Sequence, residues 1–551
     1  MAPVVDLTIP DAELSPSELS RRQMFRRAGL LGAGLTAAGV LGTQGQAAAS
    51  VSSERRARHG DEPRDGYHWL AGDHHIHTQY SSDAQYRVID QVIHANAYGL
   101  DWMVITDHGS VAHAKIGVEK VNPDIVEARR AIDDTLVFQG LEWNIPAAEH
   151  GTVFVAPGRN EVATLKEFEN SFDGTVKGAS SNTPQNEALA IAGLNFLADA
   201  VKRRRVDDAL FLANHPSRKG IDSPHEVRGW RDAQPDIAIG MEGAPGHQAA
   251  GIAKPNGGGA GRGYYDNTPS ADSFPGYPAE SYKTFGGFDW MTSTVGGLWD
   301  SLLAEGKGWW ITANSDSHTV WGDTSVRGPG SDFNANGRYN DPVHGGTAPN
   351  LTNGDFWPGY YSRTHVGARG FSYRAVMDGL RQGRVWVDHG GLISGLVVRV
   401  REVRGGERGV TLGDTLQVRK GAKVEVSIEI TLANQPNWAQ FVPTLARVDV
   451  IQGDVTGPVS NKDVFTTPAT KVVKSYEVGK NTGTVSFTYQ LGEVAKPVYV
   501  RLRGTDGNRS ATGLLGASVD PAGPAIDVFG DADPWKDLWF YSNPIWIVPR
   551  G

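Results

Sequence analysis

Short apolar segments of strand length alternate with helical segments through residues 68–392. The predicted strands lie at residues 69–75, 102–106, 135–142, 151–156, 209–213, 237–241 and 309–313. Helices are predicted at residues 87–98, 187–203 and 375–382. Repeated strand–helix units favour a parallel sheet or a (β/α) barrel, so we expect an α/β domain over residues 68–392.

Three segments between these elements are rich in glycine, proline and asparagine. They cover residues 157–184, 244–294 and 323–370. All three are long for plain connections between a strand and a helix. We interpret them as insertions that shape a substrate entrance.

The pattern changes after residue 392. Five short β-branched segments alternate with a period of two, at residues 396–400, 423–430, 446–450, 484–489 and 497–503. Turn residues separate them, which predicts a β-sandwich-like domain over residues 393–551. All 16 histidines lie at or before His389, so we expect the chemistry in the preceding domain.

The first 49 residues have the features of an export signal. Residues 20–25 contain a twin-arginine pair, residues 28–42 are apolar, and residues 47–49 offer a cleavage site. The apolar stretch is shorter than the roughly 20 residues of a membrane-spanning helix. We expect twin-arginine export to a secreted or cell-envelope location, no membrane insertion after cleavage, and a linker at residues 50–67. The alternative is a basic tail beside an apolar patch.

Composition limits the possible chemistry. Lysine and arginine total 53 against 62 acidic residues, and the net charge of −9 disfavours a nucleic-acid partner. Because the chain has no cysteine, disulfides, thiolate metal sites and cysteine nucleophiles are excluded. Any metal ion must be bound by histidine, aspartate or glutamate. The oligomeric state stays open.

Residue types that bind metal ions follow five of the predicted strands. His75 and His77 point to one side of an extended chain, as do Asp316 and His318. The C-terminal ends of barrel strands meet at one mouth, so we expect these side chains to surround it. The predicted ligands are His75, His77, Asp83, His108, Glu142, His150, His215, Asp316 and His318. Nitrogen and oxygen ligands of this kind suit two or three divalent ions of zinc, manganese or iron.

Each motif alone has a simpler explanation. An aspartate at a strand end often caps the next helix, and the segments at residues 214–216 and 315–318 also suit ordinary turns. The combination of five such segments, each just after an apolar strand, favours a metal cluster. We interpret most other histidines as surface or supporting residues, with His113 and His247 as candidates for the pocket rim.

The five segments resemble the motifs of the polymerase-and-histidinol-phosphatase (PHP) metallohydrolase family. The matching residues are 75–78 with 82–83, 106–108, 140–142 with 150, 215–216 and 315–318. The resemblance covers residues 68–390 and implies a distorted seven-stranded (β/α) barrel with a two- or three-metal site.

The resemblance also implies which residues share an ion. One ion would be bound by His75, His77, Glu142 and Asp316. A second would be bound by Glu142, His150 and His215. A third would be bound by Asp83, His108 and His318. Some family members have histidine in place of Asp83, so the number of ions is left at two or three.

Export and a β-rich C-terminal region are similar to the carbaryl-hydrolase-type members of that family. Residues 379–387 and 539–545 carry this closer resemblance. The activities named in that group include both carbamate and phosphoester cleavage, so the resemblance leaves the substrate open.

Together these features predict a secreted metal-dependent hydrolase, foremost a phosphoric ester hydrolase (EC 3.1) that uses a hydroxide bridging two ions. Its substrate would be a small-molecule or cell-envelope phosphoester. The expected catalytic residues are Asp107, Glu142 and Asp316, with Asp107 orienting a ligand or shuttling a proton. Arg218 and Lys219 would hold an anionic group, or else form a solvated loop pair. A carbamate, ester or amide hydrolase and a non-catalytic exported metal-dependent binding protein are the two alternatives.

Overall fold

The computed structural model describes residues 66–265, 267–346, 348–405, 409–507 and 533–550. The predicted export signal at residues 1–49 lies outside the described residues. Within the described residues, no helix combines the length and the apolar character that crossing a bilayer requires.

Strands and helices alternate through the described chain as far as residue 392. The strands are β1 (His68–Asp73), β2 (Trp102–Ile105), β3 (Leu136–Asn144), β4 (His150–Val155), β5 (Ala209–Ala213), β6 (Ala238–Ala244), β7 (Thr284–Phe285), β8 (Phe288–Asp289), β9 (Trp310–Ala313), β10 (Ser325–Val326), β11 (Val343–His344), β12 (Ser362–Ala368) and β13 (Val385–His389). The helices are α1 (Val88–Ala97), α2 (His113–Ala131), α3 (Glu161–Phe172), α4 (Gly174–Lys177), α5 (Pro184–Lys202), α6 (Pro224–Ala233), α7 (Trp290–Ser293), α8 (Leu298–Leu303), α9 (Phe333–Asn336) and α10 (Tyr373–Arg381).

Strands dominate the described residues that follow. They are β14 (Ile393–Glu402), β15 (Thr415–Arg419), β16 (Ala422–Leu432), β17 (Arg447–Asp454), β18 (Lys471–Glu477), β19 (Thr484–Val494), β20 (Val498–Thr505), β21 (Trp539–Ser542) and β22 (Ile545–Arg550). Along β16, buried apolar residues such as Val424 and Val426 alternate with more exposed polar ones, because one face of the strand packs against the core.

One continuous sheet carries the first domain, in the order β12-β1-β2-β3-β4-β5-β6-β9. β1, β2 and β3 run parallel, as do β5, β6 and β9, whereas β4 and β12 are antiparallel to both of their neighbours. The two ends of this strip meet. The Thr364 hydroxyl of β12 accepts a hydrogen bond from the Ala313 amide of β9 at 2.8 Å and donates one to the Ala313 carbonyl at 2.9 Å. The expected mixed α/β fold is confirmed, while the count of seven barrel strands stays a prediction.

All three segments interpreted as insertions contribute to the core, residues 244–294 through Phe285, Phe288 and Met291, while their role at a substrate entrance stays a prediction. Residues 157–184 include α3, whose Leu165 and Phe168 are buried in the main core. Residues 323–370 include β12, which pairs with β1. Helix α2 is also missing from the sequence prediction, because Pro123 inside it is a helix-breaking residue.

The C-terminal strands extend the sheet of the α/β domain. β13 pairs with β21, and the sheet continues through β20, β22 and β15. β17 pairs with β20, and β18 pairs with β17. A second sheet, β14-β16-β19, shares an apolar core with these strands, in which Val426 and Leu502 are buried. A β-rich C-terminal region is therefore present, but the hydrogen-bonded sheet continues across the predicted boundary at residues 392–393.

A buried ion pair joins this region to the α/β domain. The Arg501 guanidinium of β20 donates two hydrogen bonds to the Asp300 carboxylate of α8, at 2.8 and 2.7 Å, and both side chains are fully buried. Tyr499 donates a third to Asp300 at 3.0 Å. The guanidinium also lies 4.5 Å from the ring centroid of Trp299. Removal of either charge would leave the other buried and uncompensated.

We expect Arg501→Ala to lower the free energy of unfolding by about 3–5 kcal/mol, because the Asp300 carboxylate loses its buried partner. Arg401→Ala is the matched control, since the Arg401–Glu425 pair lies at the surface with Arg401 51% exposed, and its loss should cost less than about 1 kcal/mol. Urea unfolding followed by tryptophan fluorescence measures both. Equal losses in the two variants would contradict the role assigned to this ion pair.

Candidate metal centre

A short backbone pairing brings the first and last motifs together. Ile76, after β1, forms a parallel bridge with Ser317, after β9, and the His77 amide donates a hydrogen bond to the Ser317 carbonyl at 3.1 Å. Alternate residues of an extended segment share a side. The two histidines that flank Ile76 therefore face the same centre as the aspartate and the histidine that flank Ser317.

A second pairing aligns the two middle motifs. His108 forms a parallel bridge with Glu142 of β3, and the Glu142 amide donates to the Asp107 carbonyl at 3.1 Å. The Gly109 amide donates to the Glu142 carbonyl at 2.8 Å. β4 runs antiparallel beside β3, so His150 at the start of β4 also comes next to Glu142.

The buried Glu142 carboxylate lies at the middle of the cluster. Five ring nitrogens lie within 3.3 Å of its oxygens: His75 Nε2 (3.1 Å), His150 Nδ1 (3.0 Å) and His215 Nε2 (3.2 Å) beside Oε1, and His108 Nδ1 (2.7 Å) and His77 Nε2 (3.3 Å) beside Oε2. A carboxylate surrounded in this way suits the bridging position between two cations.

Asp316 is a second buried anion of the centre. Its Oδ1 lies 3.1 Å from Nε2 of both His75 and His77, and its Oδ2 lies 2.8 Å from His247 Nε2. The backbone of Asp316 has a φ of 47°, in the left-handed region that strains a residue with a Cβ. Strain of this kind persists only where the surrounding contacts hold the residue in place, as they often do at functional sites.

Asp83, His108 and His318 form the open side of the centre. Asp83 Oδ2 lies 3.0 Å from His108 Nε2, and Asp83 Oδ1 lies 3.5 Å from His318 Nε2. The Nε2 atoms of His108 and His318 are 3.3 Å apart. The Asp83 side chain is 52% exposed, so this edge of the cluster faces solvent.

Four sets of three side chains within the described residues hold ligand atoms within 4.8 Å of one another, close enough for one cation. They are His77–His108–His318, His75–His77–Glu142, His108–Glu142–His150 and His247–Asp316–His318. The nine predicted ligand residues lie around one centre, with His215 and Asp83 attached through Glu142 and His108. These clusters are compatible with divalent metal binding. The assignment of ligands to individual ions stays a prediction.

Unpaired atoms at the centre test whether a cation fits there. His77 Nε2, Glu142 Oε2 and Asp316 Oδ1 are buried and form no hydrogen bond of standard geometry among the described residues, although His108 Nδ1 lies 2.7 Å from Glu142 Oε2. His77 Nε2 lies 3.3 Å from the Glu142 oxygen and 3.1 Å from the Asp316 oxygen. Buried polar atoms without partners are costly, and a divalent cation would satisfy all three at once. The nitrogen and oxygen donors fit zinc, manganese or iron.

Both central carboxylates are ionised. Burial opposes ionisation of Glu142, but the charges of His75, His150 and His108 outweigh it and hold its pKa well below the usual value. Burial also opposes ionisation of Asp316, and the charge of His247 is the largest effect that keeps the pKa of Asp316 well below the usual value. The charges of the surrounding histidines therefore favour the ionised form of both carboxylates.

Two neighbours fix the orientation of the first histidine pair. Glu242 Oε1 lies 2.7 Å from His75 Nδ1, so in the neutral ring this nitrogen carries the proton and Nε2 presents a lone pair to a bound cation. The Ser81 hydroxyl donates to Asp107 at 2.8 Å and accepts from His77 Nδ1 at 3.0 Å, which turns His77 Nε2 inward in the same way. Asp107 thus contacts a ligand histidine through Ser81 rather than facing the centre itself.

Three residues of this site, Glu242, His247 and Asp355, are missing from the sequence-based set of ligands and catalytic residues. Glu242 lies near the end of β6 and directly follows the strand predicted at residues 237–241, and that position is the signal that would have identified it. His247, considered only for the rim, lies between Asp316 and Asp355, with its Nδ1 2.5 Å from Asp355 Oδ1. The other rim candidate, His113, is buried at the start of α2, with its Nδ1 2.8 Å from Glu169.

Arg218 brings positive charge to the centre, and Lys219 lies beside it. Lys219 Nζ lies 2.5 Å from Glu149 Oε1, whereas Arg218 approaches Glu149 only to 3.9 Å. Arg218 Nε is buried and has no hydrogen-bond partner among the described residues. Burial lowers the pKa of Arg218, but the charges of Glu149 and Asp316 outweigh it and raise that pKa above its usual value. Arg218 is thus a charged donor with free hydrogen-bonding capacity near Asp316.

Residues 73–210 match the family described as the PHP domain. This match includes His75, His77, His108, Glu142 and His150, and it supports a metal-dependent hydrolase. His215, Asp316 and His318 lie beyond it. No curated protein sequence matches the chain.

Two solved structures are similar at low scores. A two-domain protein containing a predicted PHP-like metal-dependent phosphoesterase from Bacteroides vulgatus is 15% identical, covering 84% of this chain and 96% of its own, with a TM-score of 0.30. An endonuclease Q complex with a 27-mer duplex bearing an abasic lesion is also 15% identical, covering 33% of this chain and 45% of its own, with a TM-score of 0.20. The similarity to a PHP domain is therefore carried by the match of residues 73–210.

We expect His75→Ala and Asp316→Ala to reduce the zinc or manganese content of the purified protein, because each removes a buried ligand atom from the centre. His344→Ala is the control, since His344 is exposed on β11. Elemental analysis measures the metal content. A chelator should lower the melting temperature of the wild type but not of Asp316→Ala, because only the wild type is stabilised by bound metal. Wild-type metal content in both alanine variants would contradict the proposed ligands.

Proposed function

We propose that the protein is a metal-dependent phosphoesterase that hydrolyses a phosphomonoester or phosphodiester. The main observation in favour is the convergence of five imidazoles on Glu142, with the partly buried Arg218 cation nearby. An anionic phosphoryl group would form a charge-assisted hydrogen bond with the free guanidinium donor, which is stronger than the bond that a neutral carbonyl would form. The net charge of −9 favours a small-molecule or cell-envelope phosphoester over a nucleic acid.

In this proposal the residues of the chain bind the ions, orient the ligand histidines and balance the charge of the phosphoryl group. Divalent ions bound at the centre supply Lewis acidity and lower the pKa of water. Glu142 and Asp316 provide the negative charge that binds those ions. Glu242 orients His75, and Asp107 orients His77 through Ser81. Arg218 holds a phosphoryl oxygen and stabilises the charge that develops on it.

A carbamate, ester or amide hydrolase, as in the carbaryl-hydrolase-type subfamily, is the second candidate. The subfamily resemblance at residues 379–387 and 539–545 favours it. It would be strengthened by an apolar pocket lined with tryptophan. Trp290, Trp299 and Trp309 are buried in the core, however, and leave Arg218 as the more specific feature of the centre. We therefore place phosphoester hydrolysis first.

We expect the zinc-, manganese- or iron-loaded protein to hydrolyse 4-nitrophenyl phosphate or bis(4-nitrophenyl) phosphate. The metal-stripped protein and His75→Ala should be at least about 100-fold less active, because a ligand of the centre is lost. Release of 4-nitrophenol measures turnover. Turnover of an aryl carbamate with no activity on either phosphoester would overturn the first proposal in favour of the second.

Arg218 variants separate the two substrate classes in the same assay. Arg218→Met should raise KM for the phosphoester by about 10- to 100-fold, since a charge-assisted hydrogen bond is lost. Arg218→Lys should retain part of the affinity, and the exposed Arg203→Met should behave as wild type. An unchanged KM in Arg218→Met would remove Arg218 from phosphoryl binding.

We also propose twin-arginine export to a secreted or cell-envelope location, on the basis of residues 20–49. Export should remove the signal, so N-terminal sequencing of protein recovered from the envelope or medium should begin just after residue 49. Replacement of Arg21 and Arg22 by lysine should retain the precursor inside the cell. Full-length protein found only in the cytoplasm of the wild-type strain would contradict export.

A further inference from the structure

Backbone strain is concentrated at the mouth of the metal centre. Seven non-glycine residues in the described ranges have a positive φ, and four of them are His215 (30°), His247 (53°), Tyr264 (56°) and Asp316 (47°). Strain of this kind often marks residues whose position serves binding or catalysis. His215 and Asp316 are proposed ligands. Tyr264 has no role in the proposed chemistry, although its ring centroid lies only 5.0 Å from that of His247.

The Tyr264 side chain is partly exposed to solvent, whereas the large side chain next to it in sequence is buried. Its exposed fraction is 39%, whereas the next residue, Tyr265, is 1% exposed. The Tyr264 hydroxyl packs so closely on Gly354 that a Cβ added there would lie 2.3 Å from it. Gly354 directly precedes Asp355, which lies 2.5 Å from His247. The ring is therefore supported by the same segment that holds His247 against Asp316.

A side chain links Tyr264 to the anion-binding arginine. Asn267 Nδ2 donates a hydrogen bond to the Arg218 carbonyl at 2.8 Å and another to the Tyr264 carbonyl at 3.3 Å. The Gly263 amide donates to the His247 carbonyl at 3.1 Å, which attaches the same loop to the centre. A partly exposed aromatic ring and a partly buried cation thus belong to segments at one metal centre that the Asn267 side chain joins.

We propose that Tyr264 is a stacking platform for a planar aromatic group carried by the substrate, next to the ester bond that is cleaved. The inference rests on the proposed phosphoesterase function and narrows it to aryl phosphoesters. Arg218 holds the anionic oxygens while the aromatic group lies against the Tyr264 ring. Tyr264 acts in binding and takes no part in bond cleavage.

The test compares phenyl phosphate with cyclohexyl phosphate, which have rings of similar size but only one of them planar. The ratio of kcat/KM for the two esters should fall roughly 2- to 10-fold in Tyr264→Leu, because the aromatic contact is lost. It should stay near the wild-type ratio in Tyr264→Phe. The loss should appear in KM rather than in kcat, since the ring binds the substrate before and during the reaction alike. Comparing ratios cancels the different intrinsic reactivity of the two esters.

A binding measurement keeps this inference distinct from the proposed function. Calorimetry on the metal-loaded protein should show phenylphosphonate, which is not hydrolysed, binding more tightly than cyclohexylphosphonate, by roughly 2- to 10-fold. The preference should disappear in Tyr264→Leu. Equal affinities in the wild type, or a preference that survives in Tyr264→Leu, would overturn the platform even if phosphoesters are hydrolysed. Absence of phosphoester turnover together with Tyr264-dependent phosphonate binding would overturn the proposed function and leave the platform standing.

Discussion

The structure depends on the charge balance around one buried carboxylate. Glu142 is ionised without access to water, and such a group is stable only when cations or hydrogen-bond donors surround it. The imidazoles that contact it come from four separate segments of the chain. The C-terminal ends of β1, β2, β3 and β5 and the start of the antiparallel β4 therefore lie close together. Short backbone pairings keep their side chains in register.

The orientation of each imidazole is as important as its position. A neutral imidazole donates from one nitrogen and accepts at the other, so a partner on Nδ1 decides what Nε2 can bind. Glu242 sets this choice for His75, and the Ser81–Asp107 pair sets it for His77. The carboxylates around the cluster thus divide into two kinds, those that face the common centre and those that stand behind a histidine.

The sequence identified the parts of this arrangement that follow from local spacing. His75 with His77 and Asp316 with His318 could be placed because alternate residues share a side and strand ends share a mouth. His247 and Asp355 could not be assigned to the centre itself, because they lie in long segments without periodicity and reach the centre only through tertiary packing. Helix α2 was missed for a related reason, because its buried face, which includes Val118 and Ile125, outweighs the local effect of Pro123.

The side chain of Asn543, just beyond β21, connects two distant parts of the sheet and so affects the order in which they assemble. Its amide side chain accepts a hydrogen bond from the Ile311 backbone at 3.0 Å and donates one back at 3.4 Å, across 232 positions of sequence. Ile311 lies in β9, the strand that leads into Asp316 and His318. During synthesis on the ribosome, the segment that carries these two residues is complete long before the strands that secure it emerge. The support that Asn543 gives to β9 can therefore form only after β21 has been synthesised.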